Sequence, residues 1–391
     1  MKYDFDTIYD RRSTDSVKWN VGENELPMWV ADMDFKTAPE IIEALTKRAE
    51  NGIFGYTDLK DDWYNAYIDW WNRRHGLKME RGGLMFCTGV VAAISSIVRK
   101  LTTPNENVVI QTPVYNIFFN SIINNGCRVL ENRLVYDGEA YSVDFDDLEA
   151  KLSDPQTTLM ILCNPQNPVG KIWDRKTLAK IGALCVKHNV VVISDEIHCD
   201  ITEPGRDYVP FLSVSDDCRK VGIMCMAPTK TFNLAGLQTS AIYVPNKNLF
   251  YKVRRGINTD EVAEPNGFAT VGAITAFTKG EPWLTGLRAY ISENRKITEE
   301  FIKNEIPEIS LVKGEATYLL WLDISKVGKS REVAPFLRKA TGLFITAGCH
   351  YGECGDGFLR MNVACPKTLL YDGLNRLKKG IKEFSQISLH L

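Results

Sequence analysis

The chain has 391 residues, 45% hydrophobic and 25% charged, with a net charge of −2, a balance that offers no electrostatic case for binding nucleic acid or an anionic membrane surface. No apolar run approaches the ~20 residues of a membrane span, so no membrane partner is expected. The length exceeds the roughly 250–300 residues at which single cores split, which predicts two domains.

The first residues, Met1-Lys2-Tyr3-Asp4-Phe5-Asp6, are charged and lack an apolar stretch, so no signal peptide is expected. Leu84 to Cys87 reads as a short buried strand ending in Thr88-Gly89, after which Val90, Ile94, Ile97 and Leu101 fall at helical spacing. Val108-Val109-Ile110 is a second strand, followed by Pro113 and a helical stretch from Tyr115. Leu159 to Cys163 is a third strand, and Asp174 to His188 a helix with Leu178, Ile181, Leu184 and Cys185 on one face. Val190 to Ile193 and Val221 to Met226 complete five strands. Apolar strands alternating with amphipathic helices imply an α/β fold with a mostly parallel sheet covered on both faces. Beyond Pro282 the pattern predicts helix Trp283 to Lys303, strand Thr317 to Asp323, helix Arg331 to Ala340, strand Phe358 to Val363 and helix Lys367 to Phe384, a smaller α/β lobe. The first ~45 residues are expected to pack against that lobe.

Three runs stand in order at the ends of the middle strands: Asn164-Pro165-Gln166-Asn167-Pro168-Val169-Gly170, Ser194-Asp195-Glu196-Ile197-His198, and Ala227-Pro228-Thr229-Lys230-Thr231-Phe232-Asn233. Ligands of parallel sheets bind at such strand ends. The ordered set reads as an electron-sink site for pyridoxal 5′-phosphate (PLP). Lys230 bonds the aldehyde, and Asp195 keeps the pyridine nitrogen protonated. Asn167, rather than Asn164, donates to the ring oxygen. Glu196 is expected to be solvent-facing or structural, and His198 either reaches the ring hydroxyl or orients a neighbour. Gly89, Val90 and Val91 open a helix whose free N–H groups suit a phosphate, and Thr229 can add a hydroxyl. Tyr115 is either a core aromatic or a stacking partner for the ring. Arg360 is a lone cation in an apolar strand. It either forms a structural salt bridge or clamps the α-carboxylate of an amino-acid substrate.

The ten cysteines contain no C-x-x-C pair, and the pair Cys349 and Cys354 with His350 between them is too sparse for zinc, so no metal is expected. Free thiols without an export signal point to a reducing cytoplasm.

These residues resemble fold-type-I PLP enzymes, the aspartate-aminotransferase-like superfamily, and within it the cystathionine β-lyase (cysteine-S-conjugate β-lyase) branch. The branch's hallmarks run from end to end: Lys18-Trp19-Asn20, Leu26-Pro27-Met28-Trp29-Val30-Ala31-Asp32-Met33-Asp34-Phe35, Ile53-Phe54-Gly55-Tyr56, Arg74-His75-Gly76, Gln111-Thr112-Pro113-Val114-Tyr115 and Gly280-Glu281-Pro282-Trp283-Leu284. The resemblance implies a PLP-dependent transferase fold. Its large cofactor-binding domain, 46–285, carries a mostly parallel seven-stranded sheet; 1–45 with 286–391 form the small domain. It further implies a homodimer with a shared active site, in which Tyr56 reaches the neighbouring subunit's cofactor phosphate and Ala31 lies beside the substrate.

Several positions depart from common patterns. Gln238 stands where many aminotransferases carry a phosphate-binding arginine, and His198 where many carry tyrosine; both fit the lyase branch. Thr88, Gln166 and Thr229 replace a usual proline, histidine and serine. The reaction implied is C–S β-elimination, with Lys230 and Tyr115 as catalytic residues. Lys230 removes the Cα proton, a thiolate leaves Cβ, and the remainder hydrolyses to pyruvate and ammonia. Cystathionine, cystine or another cysteine S-conjugate is the expected substrate. The alternative is a class I/II aminotransferase acting on an amino acid and a 2-keto acid. The intact Lys230, Asp195 and Asn167 argue against a non-catalytic regulatory protein that merely retains the fold.

Overall fold

The computed structural model describes residues 3–388. Its centre is a seven-stranded sheet in the spatial order Leu84–Cys87, Ser240–Tyr243, Gly222–Met226, Val191–Asp195, Thr157–Cys163, Asn107–Thr112 and Arg128–Arg133. Ser240–Tyr243 runs antiparallel to both neighbours and every other pairing is parallel.

Side chains of these strands alternate between two buried cores. Phe86, Val109, Met160, Leu162, Val192 and Met224 enter one; Met85, Val108, Ile110, Ile161, Ile193 and Ile223 enter the other. Burial on both faces is why the strands read as unbroken apolar runs instead of alternating patterns. The five strands expected from sequence are all present. Arg128–Arg133 escaped because charged residues interrupt it at an edge of the sheet, and Ser240–Tyr243 also went unread.

A four-stranded antiparallel sheet follows in the order Ser310–Leu311, Leu319–Asp323, Phe358–Asn362, Thr346–Ala347. Helices Glu281–Glu305, Ser330–Thr341 and Lys367–Ser388 accompany it, matching the expected order of elements. A third core joins Leu320, Leu322, Leu359, Met361, Leu374 and Leu377. The N-terminal segment divides between cores. Leu26 and Met28 lie in this third core, where Leu26–Pro27 pairs in parallel with Leu343–Phe344. Phe5, Met33, Phe35 and Ile41 lie in the first core, beside Trp283 and Tyr290. The stretch between Met28 and Met33 therefore bridges the two sheets.

Candidate active site

Parallel register brings the carboxyl ends of the strands together: Cys163 lies beside Asp195, and Asp195 beside Cys225. The loops leaving these ends enclose a cavity of about 410 Å³. Gly89, Val90, Val91, Tyr115, Asn167, Asp195, His198, Thr229, Lys230 and Ala31 all line it, so ten of the expected residues meet in one space. Gln238, Thr88 and Cys163 line it too. Cys163 carried no sequence signal beyond ending a strand.

Asp195 is the last residue of its strand and is buried. The Ile197 N–H donates to its Oδ1 at 3.1 Å, and no lysine or arginine forms an ion pair with it among the described residues. Burial pushes its carboxyl up to about 7; the Ile197 N–H and the Lys230 charge oppose this only in part. Lys230 stands four residues past the neighbouring strand end. Its Nζ donates to the Ala31 carbonyl at 2.6 Å, and burial is the main cause that pushes the amine down to about 8. His198 is buried, and its Nδ1 has no partner. Burial, then the Lys230 and Arg360 charges, push it down to about 3, so the ring is neutral at physiological pH.

Asn167 Oδ1 accepts from Arg360 Nη1 at 3.2 Å, which leaves the amide N–H groups to donate. Asn164 instead donates to the Val209 carbonyl. The turn carrying both closes at Gly170, where φ is +70° and a Cβ would stand 2.8 Å from the Ala316 carbonyl oxygen. Gln166 Nε2 donates to the Gln111 and Pro113 carbonyls, fixing the loop that presents Tyr115. Helix Val90–Leu101 points its N-terminus into the cavity, and its Gly89 cap has no side chain to satisfy the first N–H groups.

Glu196 takes the structural of its two expected roles. It is not solvent-facing: it is fully buried, accepts from Ser194 Oγ and the Phe211 N–H, and bonds the Tyr208 hydroxyl. Burial pushes its carboxyl up to about 8, and its role is structural. Behind the cavity, Asp200 accepts from Trp70, Arg74 and Thr231 and bonds His75. With Cys199, His75 and Asp200 form the one group of metal-ligand type among the described residues. The Arg74 and Trp70 donors already occupy this carboxylate, so it serves as an anchor for the residue after Lys230.

A second chamber of about 530 Å³ opens beside the first, and Ala31, Tyr115 and Lys230 line both. Arg360 lines this outer chamber. It is buried without a carboxylate partner among the described residues: Nη2 donates to the Trp29 carbonyl at 2.8 Å, the guanidinium lies 4.8 Å over the Tyr351 ring, and Nε has no partner. Sequence reasoning missed the walls of this chamber, among them Trp29, Phe344 and Ile345. Only Trp29 lies in a motif that pointed to the site. Tyr56 lines neither space. It is fully exposed, in an irregular segment with the exposed Ile53 and Phe54.

Comparison with known proteins identifies the fold's lineage. The family model for aminotransferase class I and II matches residues 16–377. The chain belongs to that family. It is similar to cystathionine β-lyase PatB of Bacillus subtilis, with 42% identity covering 96% of this chain and 99% of that protein. Among solved structures it resembles cystalysin of Treponema denticola, which contains a pyridoxal 5′-phosphate cofactor, at 31% identity, 98% and 100% coverage and a TM-score of 0.95. It also resembles a PLP-bound C–S lyase of Staphylococcus hominis, at 31% identity, 97% and 99% coverage and a TM-score of 0.90. Within the family the chain stands in the cystathionine β-lyase branch. Its own residues fit PLP: Asp195 is a buried carboxylate with no ion-pair partner among the described residues, Lys230 is an amine with lowered basicity, and a helix N-terminus lines the same cavity.

Proposed function

We propose that the protein is a PLP-dependent C–S β-lyase that converts a cysteine S-conjugate and water into a thiol, pyruvate and ammonia. One observation carries the reading. Lys230 forms the shared wall between a cavity holding Asp195, Asn167 and His198 and a chamber holding Arg360. A cofactor and an amino acid can therefore meet at its amine.

Asp195 would accept the ring N–H, and Asn167, with the neutral His198, would bond the ring oxygen. Tyr115 would lie against the ring face. Thr229 and the N-terminus formed by Gly89, Val90 and Val91 would hold the phosphate. Among the described residues no arginine lines the cavity, and the reading includes a homodimer in which Tyr56 of a second subunit completes the phosphate site. When bound, the cofactor accepts the electron pair released at Cα. Arg360 orients the α-carboxylate, Ala31 lies beside the substrate, and Lys230 takes the Cα proton as general base. On this reading 46–285 form the cofactor-binding domain, and 1–45 with 286–391 the smaller one. A cytoplasmic setting suits the ten free thiols. No helix among the described residues is long and apolar enough to cross a membrane.

The test is to incubate the PLP-loaded protein with L-cysteine S-conjugates, without keto acid, while following pyruvate and thiol. Equal release of both, lost in Lys230→Ala, is expected. Turnover that requires a 2-keto acid and yields no thiol would move the protein to the aminotransferase reading, which the family model's description favours.

A further inference from the structure

Resting on the lyase reading, the outer chamber carries information about the leaving group. An amino acid whose carboxylate sits at Arg360 and whose Cα faces Lys230 has this space left for its sulfur substituent. The walls there are mostly apolar: Trp29, Ile117, Pro335, Phe344 and Ile345. No aspartate or glutamate among the described residues lines the chamber. Its charged residues, Lys230, Arg360 and Arg338, are cations. Arg338 is already engaged: it lies 3.8 Å over the Phe344 ring, and its Nη2 reaches Glu25 Oε2 at 2.9 Å.

Cystathionine and cystine both end in a second α-ammonium group. In this chamber that ammonium would lose water and meet no carboxylate, and the carboxylate beside it would find Arg338 already paired with Glu25. An apolar substituent would instead bury its surface against the walls. We propose that the preferred substrates are cysteine S-conjugates of apolar thiols, alkyl or aryl, rather than cystathionine or cystine. The reaction is RS–CH2–CH(NH3+)–COO− + H2O → RSH + CH3–CO–COO− + NH4+. The C–S bond breaks, and its electron pair and a proton leave as the thiol.

The experiment compares kcat/KM of the holoenzyme for S-benzyl-L-cysteine and L-cystathionine, substrates whose leaving thiols have similar basicity. A preference of about tenfold or more for the benzyl conjugate, residing mainly in KM, is expected from burying one aromatic group. Equal or better use of cystathionine overturns the inference and leaves the lyase reading standing. Pyruvate from neither substrate overturns both. In PLP-loaded Ile117→Asp, a carboxylate placed in the wall is expected to narrow the ratio by about tenfold. A ratio unmoved in that variant overturns the assignment of the chamber to the sulfur substituent.

Discussion

The amine of Lys230 donates to the main-chain carbonyl of Ala31, 199 residues earlier in the chain. The strip around Ala31 is a frame of carbonyls. Arg360 donates to Trp29 O, Asn362 to Val30 O and Asp32 O, Tyr318 to Ala31 O, and Arg11 and Asn233 to Met33 O. Lys18 and Arg11 pair with Asp32 and Asp34 behind it. One extended segment thus sets the positions of Lys230 and Arg360 together.

Asn233 pins this strip to the lysine loop, accepting from Met33 N and donating to Met33 O and Phe35 O, at a φ of +56°. Asn233→Ala is expected to destabilise the protein by about 3 kcal/mol, through lost hydrogen bonds and an unfavourable backbone region. Asn233→Gly, which tolerates that φ, should cost about 1 kcal/mol less. Urea midpoints of the two variants at equal slope check this.

Capture of PLP by the cofactor-free protein needs an unprotonated Lys230. With the amine pushed down to about 8, the capture rate should rise with pH and level off above that value, rather than above the ~10.4 of an ordinary lysine. The growth of the cofactor's absorbance band at several pH values measures it. In Lys230→Ala the band should not form, and pyruvate release should fall by roughly 10²–10⁴-fold or more.

Asp195 has a raised carboxyl in the cofactor-free fold, about 7 against 3.8 when unfolded. The folded state then holds a proton that the unfolded chain has released, so stability is lost as pH rises from about 4 to 7. Asp195→Asn removes this dependence. The cofactor-free variant should melt progressively higher than the cofactor-free wild type as pH approaches 7, with the gap constant above it, while PLP affinity drops. Calorimetry across this pH range, with a PLP titration, tests both.

Replacing Arg360 by lysine keeps the charge but loses the fork that spans Asn167 and Trp29. A fall in kcat/KM of roughly 10–100-fold is expected, carried mainly by KM. PLP binding should be retained. Steady-state kinetics alongside the cofactor spectrum check the split.

Shared sites can be tested by complementation. Lys230→Ala and Tyr56→Ala proteins, each inactive or impaired, should regain activity when unfolded together and refolded. Random pairing gives roughly a quarter of the sites a complete set. No regain above the sum of the separate proteins would remove Tyr56 from the site.

Much of this site was legible in the sequence because its residues follow strand ends. Asp195, Asn167, Lys230 and Gly89 each close or follow an apolar run, and parallel register does the gathering. What the sequence hid depends on tertiary packing. Glu196 is charged and next to Asp195, yet the Ser194 hydroxyl, Tyr208 and Phe211 N–H satisfy it inside the core. Phe344 and Ile345 look like ordinary core residues and face the outer chamber only because Leu343–Phe344 pairs with Leu26–Pro27.

The hydrogen bond from Arg360 to Asn167 joins the proposed amino-acid end of the site to the proposed cofactor end. A change at either residue removes a hydrogen-bond partner of the other, so the two ends are coupled through this pair. The wall formed by Ile117, Pro335, Phe344 and Ile345 bears no such tie to the cofactor residues. Under the chamber assignment proposed above, exchanging one sulfur compound for another calls for editing that wall, and a designer seeking a new thiol donor should begin there.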